Sequence, residues 1–226
     1  MPEEKIKIQL NFENDLFLYA DTLRPQIEKI QKFSHGGEYD AYKRLIPADI
    51  FGNDKPMNVE IGIGNGEFIS EYAKANPEQN YLGFEVMKRI FNRAIRKANQ
   101  VTHGNIRLMH FDATFIVSIL KDGSVDNFYV NFPDPWPKKK HKKRRLLKTE
   151  FIELMVKKLK KGGTICMATD QIDYALEIEE NLKPVKELKS VYNSVYIDRL
   201  DDYLPTKYYR KFVPELGVSF FRMKKI

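Results

Sequence analysis

The chain has 226 residues, 42% of them hydrophobic and 12% aromatic, which suits one domain with additional pieces and excludes global disorder. Its formal net charge of +7 is concentrated: Lys138, Lys139, Lys140, Lys142, Lys143, Arg144, Arg145 and Lys148 place eight cations and no acid within eleven positions, so the remainder sums to −1. A uniformly basic, histone-like chain is therefore excluded, and no apolar stretch approaches the roughly 18 residues of a membrane span.

Residues 5–12, KIKIQLNF, alternate apolar and polar and predict a strand. From Asp15 to Phe33 the periodicity is mixed, and Pro25 is expected to start or break a helix. Residues 1–55 read as an N-terminal extension of unplaced role, ahead of a domain over residues 56–226. From Met57 a regular alternation begins. NVEIGIG, NYLGFEV, NIRLMHF and VDNFYVNF read as strands, separated by helices at EFISEYAKAN, KRIFNRAIRKANQ and ATFIVSIL. Such alternation implies parallel βαβ units in an α/β fold. The second half predicts a helix around LLKTEFIELMVKKLK, a strand at TICMATD, a helix at DYALEIEENL, and strands at LKSVYNSVYI and GVSFFRM. Asp198 to Pro214 has no clear period and is expected as a long, functional loop.

The N-terminal MPEEKIKIQL has no uninterrupted apolar run and no small-residue cleavage site. Cys166 is the single cysteine and is expected in a buried strand; His35, His103, His110 and His141 show no metal-ligand spacing. A cytoplasmic, metal-independent protein with no membrane association is expected.

The first strand of the alternation runs into Glu60-Ile61-Gly62-Ile63-Gly64-Asn65-Gly66-Glu67. Glycines in a strand-to-helix turn let the backbone bend sharply and let a ligand approach without a Cβ in the way. The next strand ends in Glu85, where doubly wound folds grip a ribose diol, and the third is followed by Asp112-Ala113, suited to an adenine amino group. Together these predict a nucleoside site. An NAD site favours Gly-x-Gly-x-x-Gly and a pyrophosphate, which Glu60 and Glu67 would repel. Glycines at every second position, flanked by carboxylates, favour a cationic ligand such as S-adenosylmethionine.

The fourth strand ends in Asn131-Phe132-Pro133-Asp134-Pro135-Trp136-Pro137, directly before the cationic run. Three prolines in five residues stiffen this path. Eight cations beside a cofactor cleft match the spaced phosphates of a nucleic acid.

The string FPDPWPKKKHKKRR resembles the FPDPWPKKRHHKRR signature of the bacterial tRNA (guanine-N7)-methyltransferases. EIGIGNGEF, GFEV, FDA, MATD and LPTKYYRKF follow the same family's order over residues 57 to about 212. The resemblance implies a Rossmann-like class I methyltransferase fold, a doubly wound, mostly parallel seven-stranded sheet with helices on both faces. It further implies S-adenosylmethionine as methyl donor and the variable-loop guanine of tRNA as acceptor. It places Glu60, Glu85, Asp112 and Asp134 at the donor, together with Gly62, Gly64, Gly66 and Ala113 of the same motifs, and makes Asp134 the catalytic residue. Lys138, Asp170, Thr206, Lys207, Tyr208 and Tyr209 fall at the substrate. Lys140, His141, Lys142, Lys143, Arg144 and Arg145 form its RNA-contacting strip. Where the family has Thr-Lys-Phe-Glu this chain has Thr206-Lys207-Tyr208-Tyr209, which leaves one carboxylate contact to the guanine for Asp170 or Asp134 to supply. Two other readings are weighed. An exocyclic-amine methyltransferase would need paired prolines followed by an aromatic residue, absent after Asn131; an RNA-binding module would follow from the missing glutamate alone.

Overall fold

In a computed structural model, the structure describes residues 5–31, 42–101, 103–201, 203–204, 206, 208–210 and 217–226. The alternation that begins at Met57 becomes β2 (Met57–Ile61), α3 (Glu67–Ala75), β3 (Asn80–Phe84), α4 (Lys88–Asn99), β4 (Ile106–His110), α5 (Ala113–Ile119) and β5 (Val125–Asn131). A short 3-10 helix over Lys139–Arg144 leads to α6 (Thr149–Lys158), β6 (Leu159–Thr169), α7 (Ile172–Leu182), β7 (Leu188–Ser190) and β8 (Ser219–Lys225). Ahead of these stand β1 (Phe17–Tyr19), α1 (Ala20–Gln31) and α2 (Pro47–Phe51).

The strands form one sheet in the order β1-β4-β3-β2-β5-β6-β8-β7. All pairings from β1 to β6 are parallel, whereas β8 runs antiparallel to both β6 and β7. The chain winds outward from β2 through β3 to β4, then returns to place β5 on the other side of β2. The carboxyl end of β2 is therefore the topological switch point, where open α/β sheets leave a crevice for a ligand.

Alternate residues of each strand feed opposite faces. Met57, Val59, Ile61, Phe128 and Val130 join the larger core, packed under α5, α6 and α7. Tyr81, Ile106 and Leu108 join a second core under α3 and α4, with Ile69, Phe91, Ala94 and Ala98. Glu60 projects from β2 between these odd-numbered apolar positions, so one strand carries core on one side and chemistry on the other.

Four expectations are corrected by the structure. Residues 5–12 form no strand beyond a single bridge from Ile6 to Tyr42. Of their four alternating apolar side chains only Ile8 is buried, while Ile6 is exposed. The sheet edge is taken instead by β1, whose Leu18 is 1% exposed, and this makes eight strands, seven core strands and a short addition. Pro25 lies inside α1, not at a helix boundary. The strand expected over LKSVYNSVYI keeps only Leu188–Ser190, and Cys166 is half-buried, its Sγ 3.6 Å from Thr164 Oγ1. Among the described residues, no helix is long and apolar enough to cross a membrane.

Candidate active site

A cavity of about 820 Å³ opens at the switch point, lined from β2 by Glu60, Gly62 and Gly64, from β3 by Glu85 and Met87, from β4 by Asp112 and Ala113, and from β5 by Asn131, Asp134 and Trp136. Thr206 and Tyr208 reach it from the late loop. The sequence places these residues at four different strand ends; the parallel winding alone brings them together.

Gly62 and Gly64 take left-handed conformations, φ 79° and 55°, and a Cβ built on either would meet nothing within 4 Å. Their missing side chains leave cavity space. Gly66 is a glycine for a further reason. It caps α3 at φ 77°, does not line the cavity, and a Cβ there would sit 2.8 Å from that of Ala94. Its glycine is required by the close approach of α3 to α4.

The acids are held in distinct ways. Glu85 accepts from the backbone N–H of Gly64 (3.1 Å) and of Met87 (2.9 Å), which fixes the carboxylate against the glycine loop and leaves lone pairs for further donors. Asp112 caps α5 by accepting from Thr114 N–H at 2.8 Å, with its second oxygen left for a ligand. Glu60 is 3% exposed, and its Oε1 accepts a long hydrogen bond from Asn131 Nδ2 at 3.4 Å. Its Oε2 is buried without a hydrogen-bond partner. Burial pushes the Glu60 carboxyl up to about 8, the Asn131 side chain and the Ile69 backbone oppose this, and the Glu85 charge adds to it.

This donor set fits S-adenosylmethionine. An orphaned, buried carboxyl oxygen calls for a cationic or N–H partner, glycines at 62 and 64 leave room at the turn, and Glu85 and Asp112 would repel a diphosphate. Glu60, Glu85 and Asp112 are the residues that would hold it.

On the β5 side, the backbone is contorted. Phe132 and Trp136 adopt φ of 51° and 42°, unusual for residues with a Cβ. Between them Asp134 stands exposed at the cavity rim. The Arg144 guanidinium lies 5.0 Å from the centre of the Trp136 ring, and His141 meets the same ring edge-on at 5.8 Å. Lys138, Lys140, Lys143 and Arg144 are exposed. Lys142 pairs with Asp173 at 2.9 Å.

Arg145 is a correction to the RNA-contacting strip. It is 2% exposed, donates to Asp173 and Glu177 at 2.6 Å each and to the Pro135 carbonyl at 2.7 Å, and lies 4.6 Å from the Tyr174 ring centre. Its side chain has no exposed surface and most of its donors are committed inside the protein, so no face is left for a phosphate. Hydrogen bonds donated by Arg145 and Lys142 hold the Asp173 carboxyl below the usual carboxylate range. Arg145 thus anchors the elbow to α7.

Of the expected substrate residues, Asp170 at the end of β6 accepts from the Tyr208 hydroxyl at 2.8 Å. Burial and this carboxylate push the Tyr208 hydroxyl up to about 12. Tyr209 turns away from the cavity into an aromatic cluster with Tyr203 (5.2 Å between ring centres) and Phe220 (6.2 Å). Lys207 lies outside the described residues. Arg210 ties the late loop to the glycine loop through Glu67, at 2.8 Å. Arg93 of α4 also lines the cavity and escaped the motif reading. Its signal was the composition of KRIFNRAIRKAN, five cations without an acid.

Residues 54–222 match a family model described as "Putative methyltransferase". A tRNA (guanine-N(7)-)-methyltransferase of Bacillus subtilis is 36% identical over 177 residues, 76% of this chain and 81% of that protein. The chain belongs to the tRNA (guanine-N(7)-)-methyltransferase family. A tRNA (guanine-N(7)-)-methyltransferase of Listeria monocytogenes is 37% identical to this family member, over 78% of this chain and 82% of its own length. Solved structures carry the same fold. TrmN from Thermus thermophilus matches with a TM-score of 0.56 at 16% identity, over 76% of this chain and 44% of that one. An rRNA methylase from Streptococcus thermophilus matches at 0.52 and 13% identity, over 77% and 89%. The eight-stranded sheet of this methyltransferase is thus a class I sheet with one added edge strand.

Proposed function

We propose that this chain transfers a methyl group from S-adenosylmethionine to N7 of a guanine in tRNA, the variable-loop guanine, and works in the cytoplasm. Residues 56–226 carry the reaction, and residues 1–55 serve as an extension to it. One observation carries the reading: Asp134 stands at the rim between a buried acidic floor suited to a cationic donor and an exposed cationic segment suited to RNA.

Bound S-adenosylmethionine supplies a methyl activated by a sulfonium. Guanine N7 already presents a lone pair, so no general base is needed. The protein's task is alignment, which restricted motion of the acceptor supplies. Asp134 is the catalytic residue, accepting from the N1–H and N2–H edge of the guanine or offsetting charge that develops on the purine ring. Lys138 orients a neighbouring phosphate or O6. Thr206, Tyr208 and the Asp170 carboxylate close the acceptor side, Asp170 standing in for the glutamate that Tyr209 replaces. Lys140, Lys143 and Arg144 contact the RNA backbone, with His141 and Lys142 beside them. Gly62, Gly64, Glu60, Glu85, Asp112 and Ala113 hold the donor.

Single-turnover methylation of bulk tRNA, read by chemical cleavage at 7-methylguanine, tests this. Asp134→Ala is expected to slow methylation more than tenfold while tRNA binding persists. A loss below tenfold would remove Asp134 from catalysis, and methylation at an amino group would overturn the N7 assignment.

A further inference from the structure

A second set of cations lies on the other flank of the cavity. α4 carries Lys88, Arg89, Arg93, Arg96 and Lys97 and no acid. Its buried face is Phe91, Ala94, Ile95 and Ala98. Arg89, Arg93 and Arg96, spaced four and three residues apart, share the opposite face and are all exposed. They span about 10 Å of helix at 1.5 Å per residue. Lys88 is drawn off over the Tyr19 ring at 5.3 Å and Lys97 lies 3.9 Å from Glu71, but among the described residues no carboxylate pairs with the three arginines.

Two further features point this ridge toward a ligand. Arg93 lines the same cavity as Asp134, and the turn that leads into α4 exposes Val86 and Met87, 63% and 56% accessible, which line it too. Like charges at this spacing destabilise an isolated helix, and a merely solvated face relieves that by interleaving acids. Here nothing does. The geometry is also complementary: α4 follows β3 and the 3-10 helix follows β5, so the two cationic segments flank β2 from opposite sides.

We propose that Arg89, Arg93 and Arg96 form a second contact with the tRNA phosphate backbone, so that the acceptor RNA is held across the cavity mouth between α4 and the Lys138–Arg144 segment. The inference rests on the tRNA reading and adds a surface to it. Arginine suits this role because its planar fork pairs with phosphate in two places at once.

The test is the salt dependence of tRNA binding by the full chain. The triple variant Arg89→Gln, Arg93→Gln, Arg96→Gln is expected to bind roughly tenfold or more weakly near physiological salt. Its slope of log affinity against log salt should fall by roughly 2 to 3, since each phosphate contact contributes about 0.7 to 0.9. Thermal unfolding without ligand should stay within a degree or two of wild type, as expected for exposed sites, and so report an intact fold. The Arg→Lys version of the same triple variant should keep most of the slope. A slope unchanged by the glutamine triple would overturn the proposal. So would an equal loss from Lys183→Gln, Lys186→Gln, Lys189→Gln near the far sheet edge, which removes the same charge elsewhere. If the unaltered protein bound no tRNA, the functional reading itself would fail; a normal wild-type slope that the triple variant retains sinks the ridge alone.

Discussion

On the β3 and β4 side of the cavity, Asp112 accepts from Thr114 N–H two residues on, and Glu85 accepts from Met87 N–H two residues on and from Gly64 N–H in the adjoining glycine loop. On the β5 and β6 side the corresponding supports cross the fold: Arg145 reaches Asp173 and Glu177 on α7, the Tyr208 hydroxyl reaches Asp170, and Arg210 reaches Glu67. Asp112 is in place once its own turn forms, and Glu85 once the neighbouring glycine loop also offers its Gly64 N–H. The acceptor flank is positioned only when the whole sheet is assembled, and it is correspondingly exposed to loss of a single distant anchor. The donor side should therefore respond to chemistry at one buried acid, and the acceptor side to its long-range ties.

The largest effect is expected from Glu60. Its carboxyl titrates near 8 in the folded chain against an ordinary value of 4.5, because burial penalises the charged form. Between those two values the folded chain holds a proton that the unfolded chain has released. The stabilisation from this group is therefore complete below pH 4.5 and is lost as pH rises through 8, by on the order of a few kcal/mol. Urea unfolding of the ligand-free protein at pH 5 and pH 8 should show this fall, and Glu60→Gln, which cannot ionise, should lack it. Donor binding to wild type near pH 7 should release protons, read by calorimetry in buffers of different ionisation enthalpy. A wild-type pH profile parallel to that of the glutamine variant would sink the account of a desolvated acid.

Adjacent arginines give the next test. Arg145→Ala leaves Asp173 and Glu177 facing each other beside Tyr174, and because Asp173 is half in water the loss should be about 2 kcal/mol, below that of a fully buried pair. In a chain of this size that lowers Tm by roughly 4–8 °C. Arg144→Ala, one residue earlier, should leave Tm within a degree or two of wild type, on the order expected for exposed sites, and reduce the salt slope of tRNA binding by about 1. Equal thermal shifts from the two variants would mean that the segment has no inward anchor.

Periodicity and turn residues were enough to find β2 to β5, the helices between them, and Glu85 and Asp112 at their strand ends, since each depends on neighbours a few residues away. They missed what depends on partners far along the chain. Arg145 looks like one more cation in KKKHKKRR, and only the packing of α7 against the elbow turns it inward. Gly66 looks like Gly62 and Gly64, yet a Cβ there is excluded by Ala94 on the next helix. The alternation over residues 5–12 is a strand pattern that keeps only the Ile6–Tyr42 bridge, because Phe17–Tyr19 takes the place beside β4. The α4 ridge was concealed by arithmetic: acids elsewhere cancel its five cations in any whole-chain sum.

The smallest effect is expected at the tie between the two flanks. Glu67 follows the glycine loop and is mostly buried, while Arg210 is exposed and meets it at 2.8 Å. A pair with one partner in water contributes about 0–1 kcal/mol. Glu67→Gln should accordingly weaken S-adenosylmethionine binding no more than about fivefold, with the change in the dissociation rate, because the late loop lies over the cavity through Thr206 and Tyr208. Raising salt should produce the same acceleration in wild type and none in the variant. Measured without tRNA, the experiment leaves the phosphate-binding cations out of play, so a salt effect that persists in Glu67→Gln would show that the flanks are coupled by some other charge and not by this ion pair.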